Sequence, residues 1–341
     1  MAEPRATLAT IAASAGVSVA TVSKVLNGRT DVAPATRSLV QELLKQHDYV
    51  GRRSAPSSAA PGRPSVELLF HGRLNAYGME ILDGTIDAGA ELGVDVVVSR
   101  RADVSPADPA AWASGLVRSG RRAVIAVVSE LAPGVVRAMN KLNLPLVVID
   151  PLNQQRARVT SVGSTNFAGG LAATQHLLGL GHRRIGYVGG PSAAACNTAR
   201  MHGYRAAMEM AGVAVPDGYV RQRHFMYGDG LVEGAALLDL PEPPTAVFAA
   251  SDEVAVGVIE VARSRGLHVP DDLSVVGFDD TEVAWLSSPP LTTVRQPLRE
   301  MGAVALRTAL RLADGETLDS HHVELATELV ERHSTAPPGQ V

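Results

Sequence analysis

From residue 66 onward, short apolar runs rich in β-branched residues alternate with amphipathic helical segments, and this alternation constrains the fold most strongly. The apolar runs are "VELLF", "VDVVVS", "AVIAVV" and "LPLVVID", followed by "RRIGYVGG", "TAVFAA" and "LSVVGFDD". Strands that are apolar along their whole length indicate parallel sheets covered by helices on both faces. The sequence therefore predicts an α/β protein whose two doubly wound parallel-sheet sub-domains form a cleft at the carboxyl ends of their strands.

We assign residues 66–335 to this core. The first sub-domain is predicted to comprise about residues 66–162 plus 293–335, because "PLTTVRQP" is read as the return of the chain to the first half. The second comprises about residues 163–292. Helices are predicted at about 77–92, 107–119, 167–180, 199–211 and 252–265.

The N-terminal stretch "ATLATIAASAGVSVATVSKVLNG" predicts two short helices joined by a glycine-containing turn. Thr7 and Ser18 can cap the two helices, and Gly16 suits the left-handed position that ends the first. A third helix is predicted from Pro34 to about His47. Its inward-facing residues are predicted to be Leu39, Val40, Leu43 and Leu44. This arrangement matches the helix-turn-helix unit and predicts a DNA-binding domain over residues 1–50.

The charge distribution supports the same interpretation of the N-terminal unit. The first 64 residues carry a net charge of +4 and the remainder −8. A basic head on an acidic body concentrates affinity for a polyanion in one module. The outward face of the second helix is predicted to carry Val19, Ala20, Thr21, Ser23 and Lys24, which can contact phosphates and base edges. An ordinary three-helix bundle with a solvated polar face is the alternative.

The run "TLATIAASAGVSVATVSKVLNG", continued by "VAPATRSLVQELLKQHDYV", closely resembles the DNA-binding head of the lactose-repressor (LacI/GalR) family of bacterial transcription regulators. The resemblance implies base-reading roles for Val19, Ala20 and Lys24. It implies contacts to the DNA backbone from Thr21, Ser23, Asn27 and Arg37. The predicted DNA-binding set is completed by Thr7, Ser18, Arg52 and Arg53. A homodimer on an inverted-repeat operator in double-stranded DNA is expected.

Residues 51–65, "GRRSAPSSAAPGRPS", have the composition of a flexible linker. Family members usually carry a short hinge helix here, which inserts a leucine into the minor groove. This sequence departs from that pattern at Pro56, which interrupts the helix, and at Ser58, which stands where the leucine is expected. We therefore predict weak DNA bending, with Arg52 and Arg53 holding phosphates.

The body resembles the effector core of the same family and the type I periplasmic sugar-binding fold. The motifs that carry this resemblance are "STNFAGGLAATQHLLGLGHRRIGYVGG", "ARMHGYRAAM", "FAASDEVAVGVIEVARSRGLHVPDDLSVVGFDDTEVA" and "PPLTTVRQP". Arg200 and Asp279 occupy the family's principal effector-contact positions, and Ser251 stands where the family often has an amide.

A carbohydrate presents hydroxyl groups that a carboxylate, a guanidinium and an aromatic face can bind. The remaining candidates are Asn75, Tyr77 and Asp150 on the opposite wall, Gln296 in the crossover strand, and Trp285. Trp285 is either a stacking platform or a packing residue. Each charged candidate could also be a structural cap or ion pair.

Several other functions lack a sequence signal. The Gly179–Gly181 segment follows a helix and lacks a third glycine, so no dinucleotide site is predicted, and neither a Walker loop nor a zinc-protease motif occurs. We expect no cofactor, no metal at the His321–His322 strand-edge pair, and no catalysis. Cys196, the single cysteine, is predicted to be a small, half-buried packing residue. Without a membrane span or a secretory pattern, we expect a soluble, cytoplasmic and nucleoid-associated protein.

The sequence therefore predicts a DNA-binding transcription regulator, expected to be a repressor, whose operator affinity is controlled by a sugar or short oligosaccharide. A sugar-binding transport protein, a sugar-processing enzyme and a regulator that responds to a purine are the alternatives. An enzyme would require an acid/base pair in the cleft. The DNA-binding head argues against the transport protein.

Overall fold

The computed structural model describes residues 8–26, 32–46, 63–71, 73–101, 107–128, 132–152 and 159–339. The chain divides into two compact units, Met1–Gly62 and Arg63–Val341. We refer to the first unit as the head and to the second as the core.

The head contains three helices, as predicted. They are α1 (Leu8–Ala15), α2 (Val19–Leu26) and α3 (Pro34–Gln46). Gly16 has a φ of +64°, which confirms the predicted left-handed turn after α1. The Ser18 hydroxyl accepts a hydrogen bond of 3.1 Å from the backbone N–H of Thr21, which confirms the predicted cap of α2. The predicted cap at Thr7 lies outside the described residues.

The three helices bury a small apolar cluster. It consists of Ile11, Ala12, Val22, Val25, Val32 and Val40, with Leu43 and Leu44 packed against it. The prediction that Leu39 faces inward was wrong, because its side chain is 48% exposed. Val40 and Leu43 already fill the α3 side of the cluster, so Leu39 projects from the neighbouring face of the helix.

The first sub-domain of the core is built on a six-stranded sheet with the order β11-β5-β4-β3-β1-β2. All five strand pairs of this sheet are parallel. Its strands are β1 (Ser65–His71), β2 (Asp95–Arg101), β3 (Arg121–Val127), β4 (Leu146–Ile149), β5 (Thr160–Ser164) and β11 (His322–Leu325). The helices of this sub-domain are α4 (Ala76–Leu92), α5 (Pro109–Arg118), α6 (Pro133–Lys141) and α12 (Leu298–Ala313).

Strand β1 illustrates why these sequences are continuously apolar. Val66, Leu68 and Phe70 belong to a buried cluster that also contains residues of α4 and α12. Leu69, which points to the opposite face, packs with residues of α5 and α6. Because alternate residues enter different cores, both sets must be apolar.

The second sub-domain is built on a six-stranded sheet with the order β12-β10-β9-β8-β6-β7. Its strands are β6 (Ile185–Gly189), β7 (Val220–Gln222), β8 (Ala246–Ala249), β9 (Ser274–Asp279), β10 (Thr292–Arg295) and β12 (Glu328–Val330). Its helices are α7 (Asn166–Gly179), α8 (Ala195–Met210), α9 (Tyr227–Leu238), α10 (Asp252–Ser264) and α11 (Glu282–Leu286). Only the pairing of β12 with β10 is antiparallel among the described strands of this sheet.

The two-sheet α/β fold class is confirmed, but the structure divides the C-terminal segment differently from the prediction. Residues 293–335 do not all belong to the first sub-domain, because β10 and β12 are strands of the second sheet. The chain returns through α12, whose Leu298, Met301 and Leu306 enter the core of the first sub-domain. Helices α6, α9, α11 and α12 were not predicted from the sequence. Within the described residues, every helix is too short or too polar to span a membrane.

Candidate functional site

Two aspartates at strand ends define the centre of the candidate site. Asp150 follows β4 of the first sheet, and Asp279 ends β9 of the second. Both are buried, and both have a positive φ, 44° at Asp150 and 116° at Asp279. Non-glycine residues rarely adopt this backbone conformation, and where they do the strain is concentrated at functional sites.

Arg200 of α8 lies close to Asp279. Its Nε donates to Asn166 Oδ1 at 2.7 Å, and its Nη1 donates to the carbonyl oxygen of Ala250 at 2.7 Å. Nη1 lies 3.8 Å from Asp279 Oδ1, which exceeds hydrogen-bonding distance. The guanidinium also stacks on Phe278, with Cζ 3.8 Å from the ring centre. Neutral groups therefore fix the orientation of Arg200, and its ion pair with Asp279 remains loose.

A chain of hydrogen bonds connects Asp279 to the first sheet. Gln296 Nε2 donates to Asp279 Oδ1 at 2.6 Å, and Ser164 Oγ donates to Gln296 Oε1 at 2.5 Å. Ser164 ends β5, whereas Gln296 follows β10. Burial raises the pKa of Asp279 well above its usual value, and the Arg200 charge opposes this rise. The position of this carboxyl is thus held from both sub-domains.

Asp150 is paired with Tyr77 of α4. The Tyr77 hydroxyl donates to Asp150 Oδ2 at 2.7 Å. Burial raises the pKa of Asp150, whereas the nearby Arg200 charge lowers it. The pKa of Tyr77 is raised by burial and by the adjacent Asp150, so the phenol remains a hydrogen-bond donor. Arg200 thus lies beside Asp279 of its own sub-domain, and its charge also acts on Asp150 of the other.

The other three predicted residues make different contacts. Asn75 caps α4 by accepting from Gly78 N at 3.1 Å. Ser251 caps α10 by accepting from Val254 N at 3.2 Å. Trp285 is 63% exposed, and its ring centre lies 4.2 Å from Cζ of Arg332. Asn75 and Ser251 therefore have capping roles, and the observed contact of Trp285 is with Arg332 and not with Arg200 or Asp279.

Sequence reasoning missed two buried polar residues next to the predicted ones. Asn166 joins Arg200 to Ser164, since its Nδ2 donates to the Ser164 carbonyl oxygen at 3.0 Å. Asp252 is fully buried and accepts from Thr281 N, Thr281 Oγ1 and Thr293 Oγ1. Burial raises the pKa of Asp252 to about 7. The only sequence signal for either residue was its place at the start of a predicted helix.

A cavity of about 510 Å³ opens beside this group. Asp150 and Asn166 line it together with Cys196, which the sequence analysis treated as a packing residue. Cys196 is buried, and burial raises the pKa of its thiol to about 11. A protonated thiol is a poor nucleophile, so we assign Cys196 to the wall of the cavity. No cluster of three or more metal-ligating side chains occurs among the described residues.

The candidate DNA-binding face of the head is formed by α2. Val19, Ala20 and Lys24 are exposed, whereas Thr21 is half-buried, and its hydroxyl lies 2.9 Å from that of Ser18. Arg37 of α3 is also half-buried. Three exposed side chains on one short helix leave a continuous surface for a base edge. The other predicted DNA contacts lie outside the described residues: Thr7, Asn27, Arg52, Arg53 and the side chain of Ser23. Pro56 and Ser58 of the linker also lie outside them.

Comparison with known proteins agrees with this architecture. The family model "Bacterial regulatory proteins, lacI family" matches residues 7–51, and the "Periplasmic binding protein-like domain" matches residues 174–335. The regulator DegA of Bacillus subtilis (strain 168) is 32% identical over 335 residues, which cover 98% of this chain and 99% of DegA.

Two solved structures are similar over nearly the whole chain. A complex of the transcriptional regulator CelR with cellobiose is 32% identical, with a TM-score of 0.73, and the match covers 97% of this chain and 100% of CelR. The lac repressor dimer bound to operator and an anti-inducer is 25% identical, with a TM-score of 0.71, and the match covers 98% of this chain and 100% of that chain. Head and core together define a non-enzymatic, DNA-binding transcription regulator. The chain belongs to the LacI family of bacterial regulatory proteins.

Proposed function

We propose that this regulator is a homodimeric repressor whose affinity for an inverted-repeat operator is controlled by a neutral sugar or short oligosaccharide. The observation that carries the effector assignment is the buried group formed by Arg200 and Asp279, 3.8 Å apart, together with Asp150 at the strand end of the other sub-domain. Adjacent sugar hydroxyl groups can donate to the carboxyl groups and accept from the guanidinium. The complex of CelR with cellobiose, a regulator of similar fold, supports this class of effector.

The charge balance favours a neutral effector. The site contains two carboxyl groups and one guanidinium, all buried. An anionic ligand would place its charge next to the buried carboxyl groups, and a cationic ligand would place its charge next to Arg200. Either arrangement buries like charges together, which is unfavourable. A purine is disfavoured for a different reason: the Phe278 ring that could stack on a base is already covered by Arg200.

DNA recognition is assigned to α2. Lys24 can donate to guanine acceptors, while Val19 and Ala20 can contact a thymine methyl group. The predicted backbone contacts are Thr7, Ser18, Thr21, Ser23, Asn27, Arg37, Arg52 and Arg53. The lac repressor, which is solved as a dimer on its operator, supports a two-fold arrangement of heads. We place the protein in the cytoplasm, at the nucleoid.

Two measurements test this function. Electrophoretic mobility shift with genomic fragments, followed by footprinting, should give a protected site with inverted symmetry. Thermal-shift screening with sugars, β-linked oligosaccharides and purines should raise the melting temperature with a sugar, and that sugar should change the mobility shift. A protein that binds sugar but no DNA would instead be a solute-binding protein. A purine as the active ligand would refute the effector class alone.

A further inference from the structure

The cavity beside Arg200 extends well beyond the predicted effector contacts. It lies between β5 and the edge strand β11 on one side and the first turns of α7 and α8 on the other. Its volume of about 510 Å³ is within the range of about 300–1,000 Å³ usual for small-molecule sites. We call this space the side chamber. Its defining residues are Ser161, Asn166, Phe167, Cys196, His322 and Glu324.

The side chamber is continuous with the predicted site. Asp150 lines the chamber and also accepts the Tyr77 hydroxyl. Asn166 lines the chamber and also accepts from Arg200 Nε. A sugar ring bound at Arg200 would therefore have the chamber as its immediate neighbour, and a single ring would leave the chamber unfilled.

The chamber contains an aromatic side chain that packing does not explain. Phe167, in the first turn of α7, lines the chamber and is 48% exposed. A large apolar ring at the mouth of a polar cavity can cover the C–H face of a sugar, which removes apolar surface from water. Sequence reasoning had looked for such a platform at Trp285, whose ring contacts Arg332 instead.

The remaining chamber walls are polar. Ser161 Oγ lies 2.9 Å from His322 Nδ1, so this exposed imidazole is held at one nitrogen and can bind a hydroxyl with the other. Glu324 and Asp150 add carboxyl groups. Helix α7 begins at the chamber without a side-chain cap, which leaves backbone N–H groups of its first turn as donors. In α8 the first N–H, that of Ala195, already donates to the carbonyl oxygen of Leu152. Donors and acceptors near one aromatic face suit a polyhydroxylated, uncharged ring.

We propose that the side chamber is a second sugar subsite, so that the effector is a disaccharide or longer oligosaccharide with one ring at Arg200 and the next against Phe167 and His322. This inference rests on the proposed function, because it assumes that a sugar is bound at Arg200. It adds the minimum length of the ligand and the residues that select for it.

The first experiment is isothermal titration calorimetry on the full chain. The probes are glucose, galactose, cellobiose, lactose, maltose, gentiobiose and glucose 6-phosphate. At least one disaccharide should bind about tenfold or more tightly than its component monosaccharides, because only the disaccharide reaches both groups of contacts.

Variants locate the second ring. His322→Ala and Phe167→Ala should each weaken binding of that disaccharide by roughly 3- to 10-fold and leave the monosaccharides unchanged. His321→Ala is the matched control, because His321 is the neighbouring exposed histidine and its ring lies against Thr160, 3.1 Å from the hydroxyl. Ala168→Trp adds bulk to an exposed chamber residue at the start of α7 and should abolish the preference for the disaccharide.

The single cysteine supplies an independent measurement. Iodoacetamide at pH 9 should alkylate Cys196 slowly in the sugar-free protein, and the saturating disaccharide should slow this reaction more than saturating monosaccharide does. Equal slowing of the reaction by saturating monosaccharide and by saturating disaccharide would contradict the subsite.

The outcomes separate the two proposals. If a monosaccharide binds as tightly as any disaccharide, or if His321→Ala and His322→Ala have equal effects, the second subsite is wrong and the sugar effector stands. Tighter binding of glucose 6-phosphate than of every disaccharide would assign the first turns of α7 and α8 to an anion and overturn the subsite. If no sugar binds, the proposed effector class fails together with it.

Discussion

Asp252 provides a test of how the buried carboxyl groups control stability. Its side chain is fully buried and accepts three hydrogen bonds from Thr281 and Thr293. Burial raises its pKa to about 7, although these hydrogen bonds act in the opposite direction. Relative to an unfolded value near 3.9, the rise of about three units corresponds to about 4 kcal/mol. Because the folded state binds the proton more tightly, this contribution is complete below about pH 4 and is lost as the pH rises through about 7.

The substitution Asp252→Asn removes the titration and keeps the shape. The asparagine oxygen can accept from Thr281, and its amide can donate to the Thr293 hydroxyl. Urea titration gives the free energy of unfolding of the variant and of wild type at each pH. The difference, variant minus wild type, should increase by about 2–3 kcal/mol between pH 5 and pH 8.

The exposed Asp271→Asn serves as the control for this series. Its difference from wild type gives the baseline for removing a surface carboxyl group at each pH. If the difference for Asp252→Asn does not change with pH relative to this baseline, the reasoning is refuted. Such a result would mean that the carboxyl group remains charged in the folded protein throughout this range.

Three further predictions concern binding. Lys24→Ala should cost about 1–3 kcal/mol on the specific operator and relax the preference at one base pair in each half-site, as measured by mobility shift on operator variants; an equal loss on all sequences would show that Lys24 contacts only phosphate. Asp279→Asn should weaken effector binding by about 1.5–3 kcal/mol in calorimetry and leave DNA binding without ligand intact. Arg200→Lys should also weaken effector binding, because one ammonium cannot replace the two directional bonds of the guanidinium. Unchanged affinity in both variants would contradict the site. Replacement of Arg52 and Arg53 by alanine should reduce the salt dependence of operator affinity by roughly 1–2 units per half-site, and circular-permutation gel shifts should show weak bending. A sharp bend with an unchanged salt slope would exclude this account of the linker.

Much of the fold follows from local sequence patterns. The apolar strands required two covered sheets, and the Ser18 cap and the Gly16 turn are both local in sequence, so both could be predicted. The pairing of Arg200 with Asp279 was predicted from the resemblance to the family, and the structure places the two side chains 3.8 Å apart. Their roles in ligand binding remain predictions.

The errors have a common physical origin in long-range packing. The placement of β12 in the second sheet depends on pairing with β10, more than thirty residues earlier in the chain, and β10 itself pairs with β9; no local pattern specifies either pairing. Leu39 has the composition of a core residue, but Val40 takes that position in the cluster. Asn166 could not be recognised because its importance comes from Arg200, which lies 34 residues further along the chain.

The two adjacent aspartates at the end of β9 differ in how strongly their carboxyl groups are paired within the protein. Asp279 and Asp280 both have a positive φ, a conformation that costs about 1–3 kcal/mol in a non-glycine residue. Asp280 gains two close ion pairs, with Arg295 Nε at 2.7 Å and with Arg332 Nη2 at 2.5 Å, and these explain an aspartate at that position.

Asp279 has no comparable compensation among the contacts of the described residues. Its nearest cation, Arg200, lies 3.8 Å away and is held by neutral acceptors, and its short hydrogen bond comes from the uncharged Gln296. A glycine there would relieve the strained backbone and would also avoid the burial of a carboxyl group. It would, however, leave the buried Arg200 without this counter-charge and Gln296 without its acceptor. These two contacts offset part of the backbone strain, and the ligand that we propose Asp279 binds would use the same carboxyl group.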